Sequence, residues 1–412
     1  MTKQPSYRFA GYTESWEQKK LGAYLTVSKN RNVDGEYDKS DVLSVSGDYG
    51  IVNQIKFQGR SFAGASVLPY GIVETGDVVY TKSPLKANPY GIIKTNHGKN
   101  GIVSTLYAIY KVNNGSNGIF VEYYFDDNLR LNKYLKPLVN KGAKNDMKVT
   151  DENVLKGDVI FPSLPEQTAI GSFFQDIDQL ISLQQRKLEV LKEQKKTYLK
   201  LLFPAKGQTK PALRFAGFED EWKEVKLGEV GETYTGLSGK TKEDFGHGEG
   251  KFITYVNVFN NPLTDLYGLD SIEIDDKQRR VQYGDVLFTT SSETPEDVGL
   301  SSVWMGTEDN VYLNSFCFGY RPQKGIFDLY YLAFVLRSFS VRKEFMLLAQ
   351  GISRFNISKT KVMDMSIHVP SLPEQEAIGY FFQDLDKAIA KQEEKVNQLK
   401  ENKQTLLRKM FI

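Results

Sequence analysis

Pro162-Ser-Leu-Pro-Glu-Gln167 opens a stretch of 42 residues, 162–203, that returns near the end of the chain as residues 370–411. The second copy begins with the same six residues, Pro370-Ser-Leu-Pro-Glu-Gln375, and 24 of the 42 aligned positions are identical. Chance does not produce such a match, and an internal repeat says more about a fold than any local pattern does. The sequence therefore predicts two copies of one structural plan.

A shorter repeat lies ahead of each long one. Arg8-Phe-Ala-Gly11, which Trp16 and Leu21-Gly22 follow, returns 206 residues later with Trp222 and Leu227-Gly228 at the matching places. The sequences between the repeats, 25–160 and 230–369, share little beyond scattered Gly-Asp-Val turns. Each is about 130–140 residues long, enough to bury a core of its own.

Short β-branched and aromatic runs fill these variable blocks, with Gly, Asn, Asp and Pro between them. Such runs predict strands, here at 102–110, 252–256 and 311–316, while a helix is expected from 328 to about 348. We predict an α+β chain, a pseudo-two-fold tandem repeat of strand-rich domains and long helices. Its order is a first variable domain at 1–161, a helical region at 162–206, a second variable domain at 207–369 and a helical region at 370–412.

The two helical regions are predicted to form an antiparallel coiled coil. Ser163 to Glu166 and Ser371 to Glu374 have the spacing of capping boxes, and about thirty residues without Gly or Pro follow Gly171 and Gly379. A ladder of alternating four- and three-residue steps follows, with Gln and Lys at matching rungs. An amphipathic helix packed on its own domain is the alternative. The ladder comprises Ile177, Ile181, Gln184, Leu188, Leu191, Lys195, Tyr198 and Leu202, then Leu385, Ile389, Gln392, Val396, Leu399, Lys403, Leu406 and Met410.

Aligning the two ladders antiparallel about their midpoint predicts a register. The short linker 204–211 leads from the first helix straight into the second Arg-Phe-Ala-Gly motif. By the symmetry of the repeat, the N-terminus should lie near the end of the second helix. The polar rungs then face each other, which would disfavour slipped registers. The expected pairs are Ile177 with Met410, Ile181 with Leu406, Leu188 with Leu399, Gln184 with Lys403 and Lys195 with Gln392.

Composition excludes several classes of protein. The 53 Lys and Arg residues nearly balance 51 Asp and Glu, which leaves a net charge of +2 and rules out a histone-like basic polymer. A single cysteine, Cys317, permits no intrachain disulfide, and the three histidines are too far apart in sequence to suggest a zinc site. The N-terminal residues lack an apolar leader, and no run of about 18 apolar residues occurs. We therefore expect a soluble, cytoplasmic chain that does not enter membranes.

The sequence contains segments that are similar to catalytic motifs, but none has all the residues that its motif requires. The glycine-rich segment 245–251 lacks the Ser/Thr of a Walker motif and precedes an apolar strand, so a polar loop is expected there. Asn88-Pro-Tyr90 is similar to the Asn-Pro-Pro-Tyr signature of adenine methyltransferases but lacks a proline, and we expect a turn. Cys317 lies in an apolar run and is expected to be a buried small side chain. The chain is predicted to be no enzyme and to bind no metal.

Basic residues are nevertheless segregated into stretches without acids. No Asp or Glu occurs at 50–73, 78–121 or 345–363, although the chain as a whole is nearly neutral. Lys and Arg there suit phosphate contact, and Asn suits base edges; a solvated basic face is the alternative reading. The candidates for DNA contact are Lys56, Arg60, Lys82, Lys86, Asn88, Lys94, Asn96, Lys99, Arg354, Asn356, Lys359 and Lys361.

The organisation resembles the specificity subunit of type I restriction-modification systems over essentially the whole chain. The stretches ending in Trp-x-x-x-x-Leu-Gly are similar to the opening of each half in that family, and Pro-Ser-Leu-Pro-Glu-Gln is similar to the entry of each conserved helical region. Gln350 to Ser358 also resembles the family pattern, whereas its first-half counterpart, 141–148, departs from it.

The resemblance implies two target recognition domains, each reading one half of a bipartite, asymmetric DNA site, with the helices setting the spacing. Two methyltransferase subunits would bring S-adenosylmethionine and methylate adenine at N6, and nuclease-translocase restriction subunits would use ATP and Mg. This chain would bind none of these cofactors. A single-chain methyltransferase or nuclease with a degenerate active site is one rival, which binding of the methyl donor would reveal. A coiled-coil scaffold without DNA affinity is another.

Overall fold

A computed structural model of the chain describes residues 4–85, 87–141 and 147–412. The fold divides into two compact units. Unit 1 comprises Met1–Gln185 with Glu394–Ile412, and unit 2 comprises Arg186–Glu393. The boundary falls inside the long helices and not at their ends, so each unit contains part of both helical regions.

Unit 1 is built on a four-stranded antiparallel sheet with the strand order β2-β9-β6-β7. A separate pair, β1 with β12, places Glu17 opposite Phe161 and so brings the start of the unit beside the entry to its long helix. The elements are β1 (Glu17–Lys20), β2 (Leu25–Val27), β3 (Leu43–Ser46), β4 (Gly50–Asn53), α1 (Gln54–Gln58), β5 (Gly71–Val73), β6 (Val78–Thr81), β7 (Ile93–Thr95), β8 (Gly101–Val103), β9 (Tyr107–Val112), α2 (Gly118–Tyr124), α3 (Asn128–Leu135), β10 (Asn140–Lys141), β11 (Met147–Lys148), α4 (Asp151–Val154), β12 (Asp158–Phe161) and α5 (Leu164–Leu201).

Unit 2 repeats this order with different sequences. Its four-stranded sheet runs β14-β21-β17-β19, and the pair β13 with β23 places Lys223 opposite Val369. The elements are β13 (Lys223–Lys226), β14 (Gly231–Thr235), β15 (Phe245–Ile253), α6 (Tyr255–Asn260), β16 (Leu269–Ile272), β17 (Val286–Thr289), β18 (Ser291–Ser292), β19 (Ser301–Val303), β20 (Val311–Leu313), β21 (Cys317–Pro322), α7 (Leu329–Val335), α8 (Phe339–Leu348), β22 (Phe355–Asn356), α9 (Lys359–Met363), β23 (Ser366–Val369) and α10 (Leu372–Lys409).

The repeated aromatic residues anchor the core of each unit. Trp16 is buried against Phe120 and Phe411, with ring centroids 6.1 and 6.4 Å apart. Trp222 packs on Tyr331 at 6.2 Å in the same way. Burial of such large rings contributes strongly to stability, which is a physical reason for a tryptophan at this place in both units.

Several predicted elements end earlier than expected. The predicted strand 102–110 is interrupted by a turn in which the Tyr107 N–H donates to the Ser104 carbonyl at 3.1 Å. The strand at 252–256 stops because Thr254 caps α6, its hydroxyl accepting from the Asn257 N–H. The helix expected at 328–348 is two helices, α7 and α8.

The glycine-rich segment 245–251 was predicted to be a polar loop, and this prediction is wrong. The segment lies in strand β15, where the pairing register with β16 shifts between Phe245 and Gly250.

The capping boxes predicted at the starts of α5 and α10 are wrong, because both glutamates are bound elsewhere. The Glu166 carboxylate accepts from Nε and Nη2 of Arg8, each at 2.7 Å. Glu374 accepts from Arg214 with the same two atoms and distances. A bidentate, charge-assisted pair is a far stronger partner for a carboxylate than one backbone N–H. These pairs join the two repeated motifs in each half.

The long helices pair antiparallel within each unit. In unit 1 the Phe174 ring stacks on Phe411, 5.7 Å between centroids, while Asp178 binds Lys403 further along. In unit 2 Lys192 binds Glu393 and Lys195 binds Asp386, each at 2.5 Å, so the numbering rises on one helix as it falls on the other. All sixteen ladder positions are buried or partly buried, so the ladder marks the covered face of each helix.

The two lysines of the polar rungs form ion pairs with carboxylates. Lys403 donates to Asp178 at 2.9 Å and also binds Asp126 at 3.0 Å, and Lys195 binds Asp386. A carboxylate is a stronger partner for an ammonium than a neutral amide is. The predicted pairs of Gln184 with Lys403 and of Lys195 with Gln392, the apolar pairs and the coiled coil as a whole stay predictions.

The expected return of the N-terminus to the end of the second helix is confirmed. The Tyr7 N–H donates to the Lys409 carbonyl at 2.9 Å, and the Lys409 ammonium lies 4.6 Å from the Tyr7 ring centroid. The equivalent bond in unit 2 runs from the Leu213 N–H to the Leu201 carbonyl, also 2.9 Å. Carbonyls in the last turn of a helix lack helical partners, so the incoming chain satisfies one in each unit.

Candidate nucleic-acid interface

The two central strands, β6 and β17, end at the same kind of turn. After β6, the Lys82 N–H donates to the carbonyl of Leu106, in the turn between β8 and β9, at 2.9 Å. After β17, the Thr290 N–H donates to the carbonyl of Phe316, in the turn between β20 and β21, at 3.0 Å. We call these places the strand-end edges of units 1 and 2. They form one framework position that presents different side chains in the two halves.

The strand-end edge of unit 2 gathers several predicted contacts. The Thr290 carbonyl accepts from the Ile357 N–H at 3.0 Å, and the adjoining strands β18 and β22 pair Ser291 with Asn356. Arg354 and Asn356 are both exposed there. The structure thus brings a guanidinium and an amide together beside the turn, the two groups that most often read guanine and adenine edges. Lys359 and Lys361, which lie on α9, are only partly exposed.

Tyr255 is bonded to the strand-end edge of unit 2. Its hydroxyl donates to the Ser291 carbonyl at 2.6 Å. Burial raises the pKa of Tyr255, while the positive charge of Arg354 acts in the opposite direction.

In unit 1 the described part of the corresponding edge holds a cation that is already paired. Lys82 is partly buried and forms an ion pair with Asp151 at 2.5 Å. Lys86 and residues 142–146, which include most of the segment that departs from the family pattern, lie outside the described residues. Lys99 is exposed in the turn after β7.

The α1 surface of unit 1 is a second candidate, and sequence reasoning found only its cations. Lys56 and Arg60 are exposed as predicted, and the Arg60 guanidinium lies 4.6 Å from the ring centroid of exposed Phe62. Tyr49 and Phe57, both exposed, face each other at 5.2 Å. Exposed rings interleaved with cations suit stacking on bases. The available signal was the order of residues: Phe57 and Phe62 alternate with Lys56 and Arg60 in the acid-free stretch 50–73.

Three predicted contacts are corrected because their side chains are buried. Lys94 is 8% exposed and binds Asp126 at 2.6 Å and Glu122 at 3.5 Å. Asn96 is 1% exposed and bonds to the turn at 98–99. Asn88 is 9% exposed and accepts from Asn132, and its carbonyl accepts from the Gly91 N–H at 3.1 Å, so the turn predicted at Asn88-Pro-Tyr90 is confirmed. Such groups stabilise the fold and cannot reach DNA.

The electrostatics of Lys94 follow from its burial. Desolvation lowers the pKa of this ammonium, but the charges and hydrogen bonds of Asp126 and Glu122 outweigh it, and the net pKa is raised. The pKa of Asp126 is lowered in turn, since Lys94 and Lys403 together outweigh its own desolvation. His97 also binds Glu122, at 2.6 Å, and that hydrogen bond raises the pKa of the imidazole.

Within the residues that the structure describes, no group of His, Cys, Asp and Glu could hold a metal ion. Cys317 is buried as expected, and burial raises the pKa of its thiol to about 12. None of the helices in these described ranges is long and apolar enough to cross a membrane.

Residues 219–401 match the model of a family described as the type I restriction modification DNA specificity domain. The resemblance that the repeated motifs indicate is confirmed. A curated relative, the putative type I restriction enzyme MjaX specificity subunit of Methanocaldococcus jannaschii, is 24% identical over 212 residues. That match covers 47% of this chain and 49% of the relative, so it spans about half the length of each.

Solved structures extend the similarity of fold to the whole chain. The type I restriction-modification system S subunit from M. genitalium has a TM-score of 0.55 at 12% identity, and the match covers 99% of both chains. A chain from a study of complex assembly and conformational transition of the type I R-M system has a TM-score of 0.57 at 16% identity. It covers 96% of this chain and 97% of its own length. At such identities these matches establish the α+β fold.

Proposed function

We propose that this chain is the DNA-recognition subunit of a type I restriction-modification complex, in which each unit reads one half of a bipartite, asymmetric site. The observation that carries the proposal is one framework built twice with different exposed loops. Strand order, Arg–Glu pair and buried tryptophan recur in both units. The sequences that bear the exposed groups of the α1 surface and of the unit 2 strand-end edge differ from those of the other variable block.

The charge distribution supports a DNA partner. A net charge of +2 gives no general attraction to polyanions, so affinity has to come from local groups such as Lys56, Arg60 and Arg354. Phosphate contacts set position and affinity, while amide and guanidinium groups read base edges. The exposed Asn356 of β22 and the exposed Arg354 just before this strand supply both kinds of group at one edge.

Catalysis and assembly are assigned to partners. Two methyltransferase subunits would bind S-adenosylmethionine and methylate adenine at N6, and restriction subunits would bind ATP and Mg. The chain itself would act in the cytoplasm without a cofactor, and α5 and α10 would set the spacing between half-sites. The absence of a recognisable catalytic motif in the sequence agrees with this division of labour.

Exchanging one variable block tests the proposal. We expect that replacing 230–369 with the block of a relative changes one half of the methylated motif and leaves the other half intact, because each unit has its own core and loops. The readout is the methylated motif of genomic DNA from cells that carry the modification subunit. The reciprocal exchange of 25–160 is the matched control and should change the opposite half. A change in both halves from either exchange would contradict independent readers, and methylation by the chain alone would contradict the division of labour.

Phosphate contact makes a separate prediction for the exposed cations. We expect Arg60→Ala and Arg354→Ala each to weaken DNA binding by the assembled methyltransferase across sequences and to reduce the salt slope by about one unit. Lys324→Ala is the control, since this exposed lysine follows β21 at the end of the strand opposite the Phe316 turn. A substitution that alters the recognised sequence at full affinity would reassign that residue to base readout.

A further inference from the structure

Each strand-end edge exposes one large apolar side chain. Leu106 and Phe316 are both 59% exposed, although they belong to variable blocks of dissimilar sequence. A single exposed hydrophobic residue needs no explanation. Two at the same framework position, one aliphatic and one aromatic, indicate that the position keeps an exposed apolar group while the sequence around it changes.

The backbone beneath these side chains is held in place. The Phe316 N–H donates to Asn314 Oδ1 at 2.9 Å, and its carbonyl accepts from both the N–H and the hydroxyl of Thr290, at 3.0 and 2.8 Å. In unit 1 the Leu106 N–H bonds to the Ser104 hydroxyl at 3.4 Å, and the Leu106 carbonyl accepts from Lys82. The turns are anchored to the ends of β17 and β6, so each side chain is presented to solvent from a fixed base.

The surroundings of Phe316 fit a DNA groove. Exposed Asn356 lies on β22, which pairs with the strand directly after Thr290, and exposed Arg354 immediately precedes β22, so the edge that bears this apolar ring also bears a cation and an amide. Apolar side chains in a groove contact the thymine methyl group or wedge between base steps, while neighbouring cations bind phosphates. Charge complementarity therefore favours a nucleic acid over a protein partner at this edge.

We propose that Leu106 and Phe316 are specificity-determining residues that contact bases through their apolar side chains, each in the half-site read by its own unit. The inference rests on the proposed function and adds a residue at an equivalent position in each reader. Removal of an apolar contact should weaken DNA binding without changing its salt slope, because such a contact releases no counterion. Removal of a phosphate contact should reduce the slope.

The test uses the complete methyltransferase complex with the full-length chain. We expect Phe316→Ala to weaken binding to the recognised duplex about tenfold at an unchanged salt slope and to broaden the methylated motif in one half only. Leu106→Ala should broaden the other half. Phe316→Leu, which supplies the side chain found in unit 1, should retain most of the affinity. Tyr283→Ala is the matched control, since Tyr283 is 57% exposed but precedes β17 at its opposite end.

The outcomes separate the inference from the proposed function. If Phe316→Ala and Leu106→Ala keep the wild-type affinity and motif while the wild-type complex binds in a sequence-specific way, the inference is wrong and the proposed function stands. A wild-type complex without sequence-specific binding would overturn both. Equal broadening of both halves by Phe316→Ala would also overturn the inference, because each residue is assigned to one half-site.

Discussion

Replacing Arg8 or Arg214 with alanine should lower the free energy of unfolding by about 3 kcal/mol, because each change strands a buried carboxylate. Glu166 and Glu374 are each 1% exposed, and each accepts two hydrogen bonds of 2.7 Å from its arginine. The arginine side chains are 11% and 16% exposed. Urea denaturation of the full chain, with each unit's transition fitted separately, is the measurement.

The controls isolate the stranded charge. Arg8→Lys keeps the charge but loses the bidentate geometry, so an intermediate loss is expected. Arg8→Ala combined with Glu166→Gln removes the charge that the single change leaves behind and should recover part of the stability. Lys20→Ala breaks an exposed pair with Asp158 and should change little. A loss from Arg8→Ala no larger than that of Lys20→Ala would show that the pair contributes nothing.

The repeated motifs were predictable from sequence, but the bond between them was not. Arg8 and Glu166 lie 158 residues apart in the sequence. Their mutual hydrogen bonds explain why both residues recur in the second half, as Arg214 and Glu374. The spacing of Ser163 and Glu166 suggested a local capping box, which is what a carboxylate does when no stronger partner reaches it. Only the folded chain shows that β1 beside β12 delivers the arginine to that glutamate.

The candidate interface was predictable where exposure follows from local sequence. Arg60 and Arg354 lie in bends, where a side chain is surrounded mainly by its neighbours in the sequence. A stretch without Asp or Glu therefore predicts correctly that these cations are exposed. Lys94 lies in β7, and its partners Asp126 and Glu122 come from just beyond the acid-free stretch 78–121. A count of charges along the sequence does not include carboxylates that a neighbouring helix and loop place against a strand in the folded chain.

Substituting Lys94 with alanine is expected to lower the free energy of unfolding of unit 1 by about 3 kcal/mol, since it leaves Asp126 and Glu122 buried without this cation. The effect should depend on pH. The pKa of Asp126 is lowered in the folded chain, so its contribution is present above the unfolded pKa and is lost as the pH falls. The difference between wild type and variant should therefore persist down to about pH 4 and shrink as the pH falls further, through the lowered pKa of Asp126.

DNA binding provides the second half of this prediction. Because Lys94 is buried, the folded fraction of the variant should bind DNA with the wild-type salt slope, whereas a phosphate contact would reduce the slope by about one unit. Lys99→Ala, an exposed neighbour, is the matched control and should leave the unfolding midpoint unchanged. Unchanged stability with a reduced salt slope in Lys94→Ala would show that Lys94 reaches DNA and that its ion pairs open when DNA binds.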